Sequence, residues 1–163
     1  MRESLTAFEK TLVDDAATVR FARALAAALP SDASGWLIGL TGELGAGKST
    51  VARALLHALG HDGPVPSPTY TLIEPYELPT ALVYHVDLYR IVDEAELEFL
   101  GISDLREGLL LAEWPERAPV LFEDADVTVA MAYSEPGRAV RVCAHSDRAR
   151  ALVDALDQAS VSS

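Results

Sequence analysis

A single cysteine, Cys143, stands among 163 residues, so no internal disulfide can form. That scarcity fits a reducing compartment. Long apolar runs are missing too: nothing approaches the ~20 residues of a membrane span, and the opening MRESLTAFEK has no apolar core of a signal peptide. A cytoplasmic location without membrane contact is the expectation. Basic residues are few, 13 Lys and Arg against 25 Asp and Glu, for a formal net charge of -12. Such a chain repels phosphate backbones, which argues against an autonomous nucleic-acid binder and leaves any RNA to be gripped by a partner. Zinc-ligand spacing is absent as well: His57, His61, His85 and His145 are scattered and read as structural. No repeat or low-complexity linker divides the chain, and half of its residues are hydrophobic, which suits one domain spanning residues 1–163.

Against these absences stands GELGAGKS, Gly42 to Ser49, which satisfies the phosphate-loop pattern G-x-x-x-x-G-K-[ST]. The apolar run Trp36 to Leu40 before it reads as a buried strand, and the residues after it, Ser49 to Leu56, as a helix. Gly42, Gly45 and Gly47 permit turns that a Cβ would obstruct, so successive N–H groups can converge on phosphate oxygens beside a helix N-terminus. Lys48 is placed to reach the β- and γ-phosphates. Ser49 offers a hydroxyl to Mg²⁺, a cation that prefers oxygen ligands, and Thr50 can contact the α-phosphate. The cofactors implied are therefore ATP and Mg²⁺.

Around this loop the pattern predicts an α/β fold, a phosphate-loop NTPase with a mixed parallel and antiparallel central sheet flanked by helices. Leu5 to Leu12 reads as an edge strand, with Val13-Asp14-Asp15 supplying carboxylates to cap a helix over Ala16 to Leu29. In that helix Val19, Ala22, Leu25, Ala26 and Leu29 are expected inward, with Arg20 and Arg23 outward. Gly60 caps the helix after the loop, and the proline-rich Asp62 to Pro68 is a loop. Tyr70 to Tyr76 and Ala81 to Leu88 read as an antiparallel strand pair, Asp93 to Leu100 as a short amphipathic helix, and Leu109 to Ala112 as a second buried strand. Val127 to Ala132 and Ala139 to Ala144 make another pair, and Ser146 to Ala159 a terminal helix.

A phosphate loop needs an acid near the metal, and Glu113, closing the strand Leu109 to Ala112, occupies the expected kind of position. It is the first candidate to hold Mg²⁺ or polarise an attacking water. Asp87, in YHVDLYR, is the second carboxylate; if Val86 and Leu88 face the core, alternation leaves open whether Asp87 meets the metal or only water. Thr69, in SPTYTL, has a hydroxyl suited to sensing the γ-phosphate from a switch segment. Arg90 and Trp114 flank these acids and read as surface and packing residues.

Together GELGAGKST, SPTYTLIEPY, VYHVDLYRI, ELEFLGISDL and LLAEWPER, in that order, closely resemble the bacterial TsaE family, also called YjeE. The resemblance runs from Asp14 to Val142. It implies an ATPase serving formation of N6-threonylcarbamoyladenosine at position 37 of tRNAs that read codons beginning with A, in a complex with TsaB and TsaD, where TsaD transfers the group. It carries nucleotide binding onto Gly45, Ala46, Gly47, Lys48, Ser49 and Thr50, metal binding onto Ser49 and Glu113, an acid needed for activity onto Asp87, and the switch onto Thr69. Asp15 and Arg138 look, by the same match, like further nucleotide contacts. Glu43 and Ser49 stand where the family often has Asp and Thr; Ser49 keeps the metal-binding oxygen. The competing readings are a small-molecule kinase on the same loop, for which the chain offers no basic lid, and a nucleotide-regulated binding module that does not turn over.

Overall fold

The computed structural model describes residues 3–68 and 71–162. Seven strands form one sheet in the order β1-β7-β6-β2-β5-β4-β3: β1 Thr6–Leu12, β2 Leu37–Thr41, β3 Ile73–Glu77, β4 Leu82–Asp87, β5 Leu109–Glu113, β6 Val127–Tyr133 and β7 Arg138–Ala144. The middle four, β6, β2, β5 and β4, are parallel, while β1 and β3 close the edges antiparallel to β7 and β4. The mixed sheet is therefore as expected. Parallel strands are covered on both faces, which is why Leu37 to Leu40 and Leu109 to Glu113 are buried without interruption.

Alternation divides those strands between two cores. Ile38, Leu40, Val83, Leu109 and Leu111 pack with helices α1 (Asp15–Ala28), α2 (Lys48–Ala58) and α5 (Arg150–Ser162). Leu37, Val86, Leu88, Leu110 and Ala112 pack instead with the short helices α3 (Glu96–Phe99) and α4 (Pro119–Phe122) and the segments around them.

Helix α1 starts where the carboxylates predict, with the Asp14 side chain accepting the Ala17 N–H at 2.8 Å. Its inward stripe is shifted from the one expected. Thr18, Phe21, Ala22 and Leu25 are buried, whereas Val19 is 40% exposed, because the large Phe21 ring sets the helix rotation. The helix expected over Asp93 to Leu100 shrinks to the four residues of α3. Asp93 and Glu96 exchange side-chain bonds with the backbone and hold a turn before it, and Gly101, at φ 68°, ends it and opens a 3-10 segment over Ile102–Glu107. Strand β3 begins at Ile73, and Thr69 and Tyr70 lie outside the described residues.

The turn between β6 and β7 ends at Gly137, whose φ is +73°, and an added Cβ would run into the Leu12 carbonyl and Val13 Cα. Gly137→Ala is therefore expected to lower unfolding free energy by about 2 kcal/mol or more, from backbone strain plus that collision. Denaturant titration of the variant measures it, and a change near zero would show the turn relaxing freely.

At the amino ends of β2 and β6, the end remote from the phosphate loop, buried Asp126 accepts from the Leu37 N–H at 3.0 Å, Ser146 Oγ at 2.7 Å, and Arg148 Nε and Nη2, each at 2.8 Å. Burial pushes its carboxyl up, but the bonds from Arg148, Ser146 and Leu37 outweigh it and hold the group below the ordinary carboxylate value. A pKa lowered on folding stabilises fully above the unfolded value of about 3.9 and loses that contribution as pH falls through the folded one. Denaturation curves between pH 5 and pH 2.5 are thus expected to fall less steeply in Asp126→Asn than in the native chain; parallel curves would remove Asp126 from the acid transition.

Candidate functional site

Between β2 and α2 the loop from Gly42 to Gly47 wraps the start of the helix, with Gly42, Gly45 and Gly47 all at positive φ. Gly47, at φ 113°, precedes α2 and lets its first N–H groups face out of the fold, a conformation that a side chain there would oppose. Ala46 is fully buried, and its N–H donates to the Glu43 carbonyl at 3.0 Å.

Lys48 is only 4% exposed. Its Nζ donates to the carbonyls of Gly42 and, at 2.9 Å, Glu43, and lies 4.2 Å from the centre of the Trp114 ring. Burial holds its pKa below the ordinary ammonium value, with Glu113, Glu116 and Asp87 pulling the other way. The Lys48 ammonium is thus held against its own loop by two neutral carbonyls.

Strands β4 and β5 bring the acids in. Their register sets Asp87 opposite Glu113 and His85 opposite Leu111. With Val86 and Leu88 in the core of α3 and α4, Asp87 points to the α2 side, which resolves the alternation: the side away from that core is the phosphate-loop side. Glu113 is 2% exposed; its Oε1 accepts from Ser49 Oγ at 2.8 Å, and its Oε2 is 2.7 Å from His85 Nε2. Asp87 Oδ1 accepts the Tyr89 N–H at 2.9 Å. Trp114, at φ 60°, leaves the end of β5 in a left-handed turn, and the Tyr89 ring lies 5.0 Å from it.

Two clefts flank the loop. One, of about 260 Å³, is lined by Lys48, Ser49, Asp87, Glu113, Tyr89 and Trp114 among others. The other, of about 280 Å³, is lined by Asp15, Thr18, Met131, Gly137 and Arg138. Gly45, Gly47 and Thr50 line both. The structure thus brings together all the predicted site residues except Ala46, whose side chain is buried beneath the loop, and Thr69, which lies outside the described residues. Arg138 sits with its guanidinium 4.5 Å from the Tyr133 ring and exposed Asp15 opens α1, both in the second cleft.

Among the described residues no group of three or more His, Cys, Asp or Glu side chains could hold a metal ion unaided. One hydroxyl and a neighbouring carboxylate are the donor set that Mg²⁺ takes when phosphates and waters complete its shell, so the residues present fit Mg²⁺ arriving with a triphosphate. Sequence reasoning missed His85, reading it as structural. The signal was its i, i+2 spacing from Asp87, which on a strand puts both on one face.

The strand, glycine loop and helix, with acids ending two parallel strands beside it, define a phosphate-loop α/β protein. Comparison with known proteins narrows this. The chain belongs to the TsaE family: the family described as "Threonylcarbamoyl adenosine biosynthesis protein TsaE" matches residues 12–140. It is 39% identical over 121 residues to the tRNA threonylcarbamoyladenosine biosynthesis protein TsaE of Haemophilus influenzae, covering 73% of this chain and 77% of that one. The protein of the same description from Synechocystis is 38% identical over 116 residues, 68% of this chain and 71% of the relative. The fold is similar to the crystal structure of Bacillus subtilis YdiB, with a TM-score of 0.73 at 22% identity over 95% of this chain and 97% of the other. No helix among the described residues is long and apolar enough to cross a membrane.

Proposed function

We propose that the chain binds Mg-ATP across its two clefts and hydrolyses it in the cytoplasm to serve formation of N6-threonylcarbamoyladenosine at position 37 of tRNAs, acting with TsaB and TsaD. The observation that carries this reading is the loop serving as the common wall of both clefts, with Lys48, Ser49, Asp87 and Glu113 on one side and Asp15 and Arg138 on the other. Phosphates belong on the first side and the nucleoside on the second.

In this reading Lys48 leaves the Gly42 and Glu43 carbonyls for phosphate oxygens, and the loop N–H groups at the α2 terminus share the remaining charge. Ser49 and Glu113 would hold Mg²⁺, which would supply neutralisation of phosphate charge. Ser49 would offer an oxygen lone pair to the metal while its hydroxyl keeps donating its proton to Glu113. Asp87 serves as the second acid needed for activity, and Thr69 serves as the switch. The net charge of -12 supports a division of labour in which tRNA is held by the partners and reaches this chain only through them.

Reconstituted tRNA modification with and without the chain is the test, over one turnover and over many. The expected result is that sustained modification requires both the chain and ATP, and releases ADP without a phosphorylated acceptor. A phosphorylated small molecule among the products would overturn the reading in favour of a kinase.

A further inference from the structure

We infer that His85 is a positioning residue for Glu113: it fixes one carboxylate oxygen so that the other is held against Ser49 and the Mg²⁺ site. The inference rests on the Mg-ATP reading proposed above. Three side chains from three elements stand in line, His85 from β4, Glu113 from β5 and Ser49 from the first turn of α2. Both His85 and Glu113 are about as buried as any apolar residue in the sheet, with side chains 2% and 3% exposed.

An ionised carboxylate has only acceptors to offer, so at 2.7 Å the Nε2 of His85 is the donor to Oε2. The terminal torsion of a glutamate is broad and does not fix its own oxygens. Anchored at Oε2, the carboxylate presents Oε1 to Ser49 in a single orientation. Without that anchor it can turn, so the Ser49 proton loses a fixed acceptor and a bound Mg²⁺ would lose a fixed ligand oxygen.

The other imidazole nitrogen argues that this bond is the reason for the residue. Among the described residues His85 Nδ1 is buried with no hydrogen-bond partner. His145, also buried, is satisfied at both nitrogens, by Thr128 Oγ1 at 2.8 Å and the Glu3 carbonyl at 3.2 Å. A histidine kept only for packing would be expected to resemble His145 or to be replaced by an apolar residue, since an orphaned buried polar atom is destabilising. His85 carries that penalty and spends its one bond on Glu113.

The test compares two amides. A glutamine places its nitrogen near the position of imidazole Nε2, whereas the asparagine nitrogen corresponds to Nδ1 and falls short of Glu113. Calorimetry of ATP binding, with Mg²⁺ titrated and with the metal chelated, is expected to show His85→Asn lowering apparent Mg²⁺ affinity by about 10- to 100-fold. Metal-free ATP affinity should stay native, and His85→Gln should keep the native Mg²⁺ response. Asn and Gln behaving alike, or a folded His85→Gln that has lost the Mg²⁺ response, would overturn the positioning role; the second result does so even if the Asn variant fails to fold. Failure of the native chain to bind ATP would instead overturn the function itself, and the metal role with it.

Discussion

Lys48→Ala is expected to weaken ATP binding by about 100-fold or more, since two charge-assisted bonds to phosphate at ~1.5–3 kcal/mol each are lost and ~1.4 kcal/mol is a factor of ten. The effect has two sources. Among the described residues the ammonium is the one cation lining the acid-bearing cleft, and its removal turns the charge of that cleft, with Asp87 and Glu113, against an incoming polyanion. The same nitrogen ties the Gly42 and Glu43 carbonyls, so the empty loop also loses the tether that holds it folded over α2. Global stability should suffer less, because the packing of α2 rests on Val51, Ala52, Leu55 and Leu56. Lys48→Arg is not expected to rescue binding: a planar guanidinium cannot take the place of a compact ammonium lodged between two loop carbonyls and the Trp114 face. Calorimetry with unfolding controls measures this, and native ATP affinity in Lys48→Ala would refute the role.

Glu113→Gln should lower the rate of ADP formation by about 100- to 1,000-fold, the range seen when a preorganised electrostatic contact is removed from a reacting centre. The change is nearly isosteric, so its cost is electrical. A neutral amide no longer attracts Mg²⁺, and with Ser49 Oγ on one side and His85 Nε2 on the other its NH₂ must face one of two donors. ATP affinity is expected to fall much less than the rate, because Lys48 and the loop remain. Single-turnover measurements separate the two effects. If tRNA modification continues undiminished in a variant that binds ATP without hydrolysing it, nucleotide occupancy and not turnover drives the partner proteins.

The sequence carries the loop and the two acids openly, because their spacing is set by short-range geometry: a phosphate loop is contiguous, and an acid closing an apolar run such as Leu109 to Glu113 must emerge at a strand end. Strand pairs are legible for the same reason, since alternation and turn residues are local. The stripe of α1 is less so. Val19 and Phe21 are both apolar, and which one turns inward depends on the sheet beneath the helix, where Phe21 finds the deeper site. The segment Asp93 to Leu100 has helical periodicity but too little to bury: Leu97 alone enters the core, and side-chain bonds from Asp93 and Glu96 compete with the helix.

His85 shows the limit most plainly. Four scattered histidines look alike by type, and the i, i+2 spacing of His85 from Asp87 marks a shared strand face without marking a contact, yet His85 reaches Glu113 and His145 a structural threonine. The difference is strand register, which pairs β4 with β5 across more than twenty intervening residues. Register also turns Asp87 toward the loop and folds β7 back so that Arg138 joins Asp15 in the second cleft. Local features were therefore readable from residue type and spacing: the glycine loop, the acids, the caps and the negative charge. Which carboxylate oxygen meets Ser49, and what holds it there, depended on contacts between distant segments, because those are chosen by packing the sheet between its two cores and leave no periodic mark along the chain.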